Sequence, residues 1–267
     1  MKFKRTIQGG EQVRNILEAQ DLNKTYRIGK ENHLNVLVDV NMQIAESEFV
    51  AVMGPSGSGK STLLHNISGM DRPTSGRITF KGKNVGELSE SETAELRLRD
   101  MGFIFQNMYL LSNLNIYDNV VLPGYTLKKE KRKVINGRAS LLMQQTGIAG
   151  LEDNDITQVS GGQLQRVAIC RALINKPSII FGDEPTGALN SRFAEEVMDV
   201  LGEINRKGTT ILLATHDINV AARTERILYM NDGNIVGELY LGKLNPDKEN
   251  LHKRGEKLTT WLKEKGF

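Results

Sequence analysis

The chain holds a single cysteine, Cys170, among 267 residues. That excludes an internal disulfide and a cysteine-based zinc site, and it fits a reducing compartment. No run approaches the roughly 20 apolar residues that a membrane helix needs. The start, Met1 to Gly10, carries charge but no apolar core of the signal-peptide kind. The sequence therefore predicts a protein that neither spans a membrane nor is exported by that route, and leaves docking onto a membrane partner open. An excess of one charge is also missing. Thirty-five Lys and Arg against 32 Asp and Glu leave a net charge of +3, too little for nucleic acid to be the expected main partner. Internal repeats and low-complexity tracts are absent. What remains is the composition of an ordinary soluble globular protein, long enough for one large α/β domain or two small ones at roughly 150 residues each.

The most informative stretch is Gly54-Pro55-Ser56-Gly57-Ser58-Gly59-Lys60-Ser61, preceded by the apolar run Phe49–Met53 and followed by Thr62-Leu63-Leu64. A β-prone run, a G-x-x-x-x-G-K-S loop and a helix opener form a phosphate-binding P-loop in its required strand-loop-helix setting. Gly54, Gly57 and Gly59 allow backbone conformations that a Cβ would block, so successive N–H groups can turn toward one anion. The helix starting near Lys60 adds unpaired N–H groups and the positive end of its dipole. Lys60 is expected to reach the β- and γ-phosphates, and the Ser61 hydroxyl to ligate Mg²⁺.

The rest of the chain alternates strands and helices. Residues 1–14 read as a flexible leader. A β-rich section runs from Ile16 to Met53, with Tyr26–His33 as a loop within it. A helix from Lys60 to Ser68 stops at Gly69, and Ser89 caps a polar helix reaching Arg99, with Glu92 three residues on. Met101–Gln106 is a buried strand ending in an amide. From Asn107 to about Gln158 the periodicity is helical, and the basic run Lys128–Lys133 reads as a solvated helix face. Ser160-Gly161-Gly162 opens a helix to about Ile174. A strand Ser178–Glu184, a helix Ser191–Arg206, a strand Thr209–Ala214 and a hairpin across Asn231–Asn234 follow. Residues 243–267 form a charged helical tail with Leu251, Leu258, Trp261 and Leu262 as a docking stripe.

Several residues after the P-loop fit one chemistry. Gln106 ends a strand, and its side-chain oxygen can reach Mg²⁺ or an attacking water. Asp183 and Glu184 stand at the C-terminal end of a strand, where ligands sit in open α/β sheets. Asp183 fits a residue that holds Mg²⁺ through water, and Glu184 one that orients or deprotonates the hydrolytic water. Adjacent carboxylates repel unless a cation is near, so their pairing in a P-loop chain favours a metal site over accident. His216 ends another apolar strand and can reach a γ-phosphate. His33, His65 and His252 lack such company and are given no role.

Val159-Ser160-Gly161-Gly162-Gln163-Leu164-Gln165-Arg166 is a second anion-binding helix start in a chain with one nucleotide loop. It resembles the signature motif of ATP-binding cassette (ABC) ATPases, usually Leu-Ser-Gly-Gly-Gln, with Val159 a mild departure. The resemblance covers about Ile16 to Leu241, with all motifs in the family's order. It implies an α/β fold: a P-loop core with a RecA-like mixed sheet, an antiparallel β subdomain, and an α-helical subdomain at about 107–170 inside an ATPase domain of 15–242. It implies ATP and Mg²⁺ as cofactors, and a second copy whose Ser160, Gly161, Gly162 and Gln163 complete each ATP site in trans. Tyr26 matches the aromatic residue that stacks on adenine. Pro185–Asn190 matches the family's D-loop, except that Asn190 replaces the usual Asp and carries no charge.

Within the family, Gly54–Leu64, Gly182–Leu189 and Met70–Gly76 look most like the MacB/LolD/BceA group. That likeness implies a peripheral subunit on the cytoplasmic side of the cell membrane, partnered with a permease of the FtsX/MacB/BceB type. Members energise macrolide efflux, lipoprotein release, or export and sensing of peptide antibiotics. The alternative is a soluble ABC ATPase acting on ribosomes or DNA. Such proteins usually carry two cassettes or long coiled-coil insertions, and this chain shows neither. A kinase built on the P-loop leaves Ser160–Gln163 unexplained.

Overall fold

Phe49–Met53 is buried at every position, and so is Thr210–Ala214. Continuous apolar runs of this kind are what strands covered on both faces require. In the computed structural model, which describes residues 14–29, 32–245 and 248–266, these two strands lie side by side at the centre of the larger sheet. The expected leader falls, but for Arg14, outside the described residues.

In chain order the elements are β1 (Asn15–Ile28), β2 (Asn32–Ala45), β3 (Phe49–Met53), α1 (Lys60–Ile67), β4 (Ser75–Phe80), β5 (Lys83–Asn84), α2 (Glu90–Asp100) and β6 (Met101–Phe105). Then come α3 (Ile116–Leu127), α4 (Arg132–Gln145), α5 (Gly161–Leu173), β7 (Ile179–Asp183), α6 (Ser191–Arg206) and β8 (Thr210–Ala214). The chain finishes with α7 (Ile218–Ala221), β9 (Arg226–Asn231), β10 (Asn234–Tyr240) and α8 (Lys248–Glu264). Two sheets result, in the orders β2-β1-β4-β5 and β10-β9-β3-β8-β7-β6. The first is antiparallel throughout. The second is mixed: β9, β3, β8, β7 and β6 pair in parallel, and β10 runs against β9.

Parallel pairing brings the C-terminal ends of the central strands to one edge. Val52 lies opposite Ala214, Ala214 opposite Asp183, and Asp183 opposite Phe105. The residues immediately beyond that row, Met53, Thr215, Glu184 and Gln106, are therefore neighbours although they come from four separate parts of the chain, and the loop opens at Gly54 one residue further on. Leu63, Leu64 and Ile67 of α1 join the core that both sheets share, which fixes the helix start beneath the loop. Helices α3, α4 and α5 build their own core around Val120, Ile135, Met143 and Val167.

Two local expectations change, and a third gains its partner. Residues 26–28 and 32–33 are strand, because β1 and β2 form a long hairpin that continues past Tyr26, with Tyr26 opposite Leu34. The basic run makes the connection between α3 and α4 and only the first turn of α4. The stripe on α8 is already docked on this chain. Leu258 and Leu262 are 0% and 1% exposed against Ile227 and Tyr229 of β9, with Leu251 and Trp261 beside them.

One buried ion pair ties the sheets at their far end. Arg226 on β9 donates from Nε and Nη2 to Glu48 at 2.7 and 2.8 Å, and from Nη2 to the Gln43 carbonyl at 2.7 Å. The two side chains are 3% and 7% exposed. Removing one partner strands a charge in the interior, which typically costs about 3–5 kcal/mol, whereas replacing both can be near neutral. Arg226→Met is therefore expected to lose about that much in urea unfolding, and Arg226→Met with Glu48→Leu to recover most of it.

Candidate active site

The loop from Gly54 to Gly59 hangs over the C-terminal end of β3. A Cβ on Gly54 would lie 2.1 Å from the Met230 carbonyl oxygen, so β9 approaches the loop as closely as backbone allows. Gly59 sits at φ 100°, the left-handed turn from which α1 springs. The Lys60 ammonium donates to the carbonyls of Gly54 and Pro55 at 2.8 and 2.9 Å, across the mouth of the loop. Burial pushes the Lys60 ammonium below its ordinary pKa, opposed by the carboxylates of Glu184 and Asp183. Ser58 is buried, and its Oγ has no hydrogen-bond partner among the described residues.

Ser61 and Asp183, 122 positions apart, meet through a 2.9 Å hydrogen bond from the hydroxyl to the carboxylate. Burial raises the Asp183 pKa, with the Ser61 bond opposing it. A hydroxyl and a carboxylate in contact are hard oxygen donors of the kind Mg²⁺ takes. Among the described residues no cluster of three or more His, Cys, Asp or Glu gathers as a closed metal cage.

Glu184 follows Asp183 with φ 47°, in the left-handed region that side chains other than glycine rarely occupy. Its N–H donates to the Ala214 carbonyl at 3.0 Å. The carboxylate meets His216 Nδ1 at 2.7 Å and accepts from the Thr215 hydroxyl at 3.3 Å. The turn after β7 thus aims a carboxylate at the end of β8. Its side chain is 18% exposed and that of His216 68%, so the histidine faces solvent and the carboxylate lies behind it. A carboxylate with one hydroxyl donor, next to an imidazole and the Ser61–Asp183 pair, can hold a water and take its proton.

The remaining predicted residues do not all join this centre. Pro55, Ser56 and Gly57 form the exposed rim of the loop, and Thr62 lies in the first turn of α1. Gln106 is exposed. Its backbone N–H donates to the Asp183 carbonyl at 3.0 Å, and its side chain lies beside Gly187. Among the described residues its side chain makes no hydrogen bond to Ser61 or Asp183. The Tyr26 hydroxyl donates to Asp71 at 2.7 Å, with Thr62 beside it. Ser160 caps α5, and the Gln163 amide oxygen accepts from the Ser160 N–H at 2.8 Å, closing a capping box. No hydrogen bond joins this turn to Gly54–Thr62 of the same chain among the described residues. Asn190 caps α6, accepting from Phe193 N–H at 3.0 Å. Sequence reasoning gave no role to Thr215, which braces Glu184, or to Met230, whose carbonyl closes on Gly54. Neither carries a motif; only strand register marks them.

A P-loop, a hydroxyl–carboxylate pair and a strand-end glutamate on a mixed parallel sheet define a nucleotide-hydrolysing α/β protein. A model of the family described as ABC transporter matches residues 37–187. The chain is 43% identical over 230 residues to the ABC transporter ATP-binding protein YxdL of Bacillus subtilis, covering 86% of this chain and 88% of that protein. It is 42% identical over 225 residues to the macrolide export ATP-binding/permease protein MacB of Mannheimia succiniciproducens, covering 84% of this chain but about a third (34%) of that protein's length. Its structure aligns with the dimeric ATP-binding cassette MJ0796, solved after hydrolysis with ADP and Pi, at TM-score 0.79 and 38% identity, over 85% of this chain and all of that one. The chain belongs to the ABC transporter family and is an ATP-binding cassette ATPase.

Proposed function

We propose that the protein is the ATP-hydrolysing subunit of a membrane transporter and works as a pair, each ATP lying between Gly54–Thr62 of one copy and Ser160–Gln163 of the other. The observation that carries this is the row at the sheet edge, where Lys60, Ser61, Asp183, Glu184 and His216 converge from β3, β7 and β8 with Ser61–Asp183 at 2.9 Å and Glu184–His216 at 2.7 Å. Ser160 stands exposed at a helix N-terminus, an anion-binding end with no hydrogen bond to Gly54–Thr62 of its own chain among the described residues. The dimeric cassette MJ0796 supports the paired arrangement.

In this reading the loop N–H groups and Lys60 hold the β- and γ-phosphates, and Tyr26 carries the adenine. Ser61 and Asp183 hold Mg²⁺, with Gln106 at the open side. The metal, when bound, neutralises charge developing on the phosphate oxygens. Glu184 orients the water and takes its proton, Thr215 keeps that carboxylate aimed, and His216 contacts the γ-phosphate from the solvent side. Asn190 acts at the pair interface through its place on the D-loop; its carboxamide is spent on capping α6. The permease partner is supported by the relative that joins ATP-binding and permease functions in its name. Its docking site is an apolar groove of about 360 Å³ between β6, α2, α3 and α5, lined by Met70, Leu98, Phe103, Phe105 and Pro123. The groove abuts the strand that leads to Gln106, and the subunit sits on the cytoplasmic membrane surface. No described helix is long and apolar enough to cross the membrane.

Sedimentation with saturating MgATP tests the pairing. Glu184→Gln protein is expected to sediment as a dimer, and Glu184→Gln with Ser160→Arg as a nucleotide-bound monomer. A Glu184→Gln protein that binds MgATP and stays monomeric overturns the composite site.

A further inference from the structure

Tyr26 is held by two residues, Lys24 and Asp71, to which the sequence gives no role in the site. The Lys24 ammonium stands 4.7 Å from the centroid of the Tyr26 ring. Lys24 is buried, at 9% exposure, while Tyr26 is 37% exposed. The same ammonium donates to Asp71 Oδ1 at 2.8 Å and to the Arg72 carbonyl at 2.7 Å. The Tyr26 hydroxyl donates to the other oxygen, Asp71 Oδ2, at 2.7 Å. Asp71 is anchored in turn: its N–H donates to the His65 carbonyl at 3.0 Å, near the end of the helix that begins at Lys60.

Each contact removes one freedom from the ring. The hydroxyl bond fixes its far end, and a buried cation occupies one π-face, an arrangement that is attractive in itself. One face is left for a ligand. Burial pushes the Asp71 carboxyl up, but hydrogen bonds from Lys24 and Tyr26 outweigh it and hold the group below its ordinary range. Asp71 therefore stays ionised at neutral pH and accepts from both partners.

We propose that Lys24 and Asp71 are positioning residues that lock Tyr26 as a one-faced platform for the nucleotide base, which rests on Tyr26 being the base-stacking residue. A clamp tied to α1 sets the distance from the base platform to the phosphate loop, so the site measures a whole nucleotide rather than a triphosphate alone. The contacts have a second possible use, tying β1 to the turn after α1 for stability only. A ligand without a base separates the two.

The test compares MgATP with magnesium tripolyphosphate, which has the phosphates but neither base nor ribose. KM and kcat for MgATP, the inhibition constant of magnesium tripolyphosphate and the melting temperature are measured for Lys24→Met, Asp71→Ala, Asp71→Asn and Tyr26→Ala. Lys24→Met, Asp71→Ala and Tyr26→Ala are each expected to raise KM for MgATP about threefold to tenfold, the size of a lost aromatic stack. The loss should fall on KM rather than kcat, and tripolyphosphate inhibition should not move. Asp71→Asn, which still accepts from Tyr26, should recover most of the loss. If Lys24→Met and Asp71→Ala weaken both ligands alike, or leave KM unmoved while Tyr26→Ala raises it, the clamp is wrong and the Tyr26 reading stands. If Tyr26→Ala leaves KM unmoved, the Tyr26 reading fails and the clamp falls with it.

Discussion

Glu184→Gln is expected to lower steady-state ATP turnover by about 10²–10⁴-fold, the usual contribution of a positioned general base, with MgATP affinity within about threefold of wild type. The amide has the shape of the carboxylate and can still accept from Thr215, so the 3.3 Å contact and the turn survive. What it cannot do is take a proton from water. The backbone points to the same residue: a non-glycine side chain at φ 47° costs on the order of 1–3 kcal/mol. That cost is offset by the N–H bond to Ala214 and the two side-chain contacts that hold the carboxylate at the end of β8. Phosphate release under saturating MgATP, with nucleotide titration on the same samples, checks both halves. Turnover near wild type would remove Glu184 from the chemistry; lost turnover with lost binding would make it a structural residue.

The parts of this site legible in the sequence were those whose chemistry is local. The phosphate loop is one continuous segment whose glycines and lysine sit at fixed spacing, and the Ser89 and Ser160 caps each act within three residues. The strands were legible too, because β3 and β8 are buried on both faces and so apolar at nearly every position. Illegible were the relations set by strand order. Nothing in the sequence near Thr215 says that β8 lies beside β7 and so places its hydroxyl on Glu184. Nothing near Lys24 or Asp71, 47 positions apart, says that they enclose Tyr26. The end of the long β1–β2 hairpin at Tyr26–His33 reads as a loop because its polar, exposed residues lack the alternation that marks a half-buried strand. The α8 stripe is legible as a docking face but its partner is not, since periodicity tells that a face is buried but not against what.

Gly54→Ala should disable the protein where Gly57→Ala does not, although both glycines belong to the same loop. At Gly57 a Cβ meets nothing within 4 Å, so the substitution costs only the backbone strain of φ 82°, about 1–2 kcal/mol. At Gly54 the new methyl would be 2.1 Å from the Met230 carbonyl and 2.8 Å from Ser58 Oγ. The serine can rotate. The carbonyl cannot, because Met230 lies in β9, whose neighbour Tyr229 is paired with Met53 of β3. Either β9 peels away from β3, exposing core that includes Leu228 and Met230, or the loop lifts off the sheet and its N–H groups no longer converge. The first route predicts a loss of about 3 kcal/mol or more in unfolding free energy, and the second a fall of about 100-fold or more in MgATP affinity. Thermal melts and nucleotide titrations on the two variants distinguish these routes. Equal behaviour of Gly54→Ala and Gly57→Ala in both measurements would show that β9 does not press on the loop, and that Met230 has no part in holding its shape.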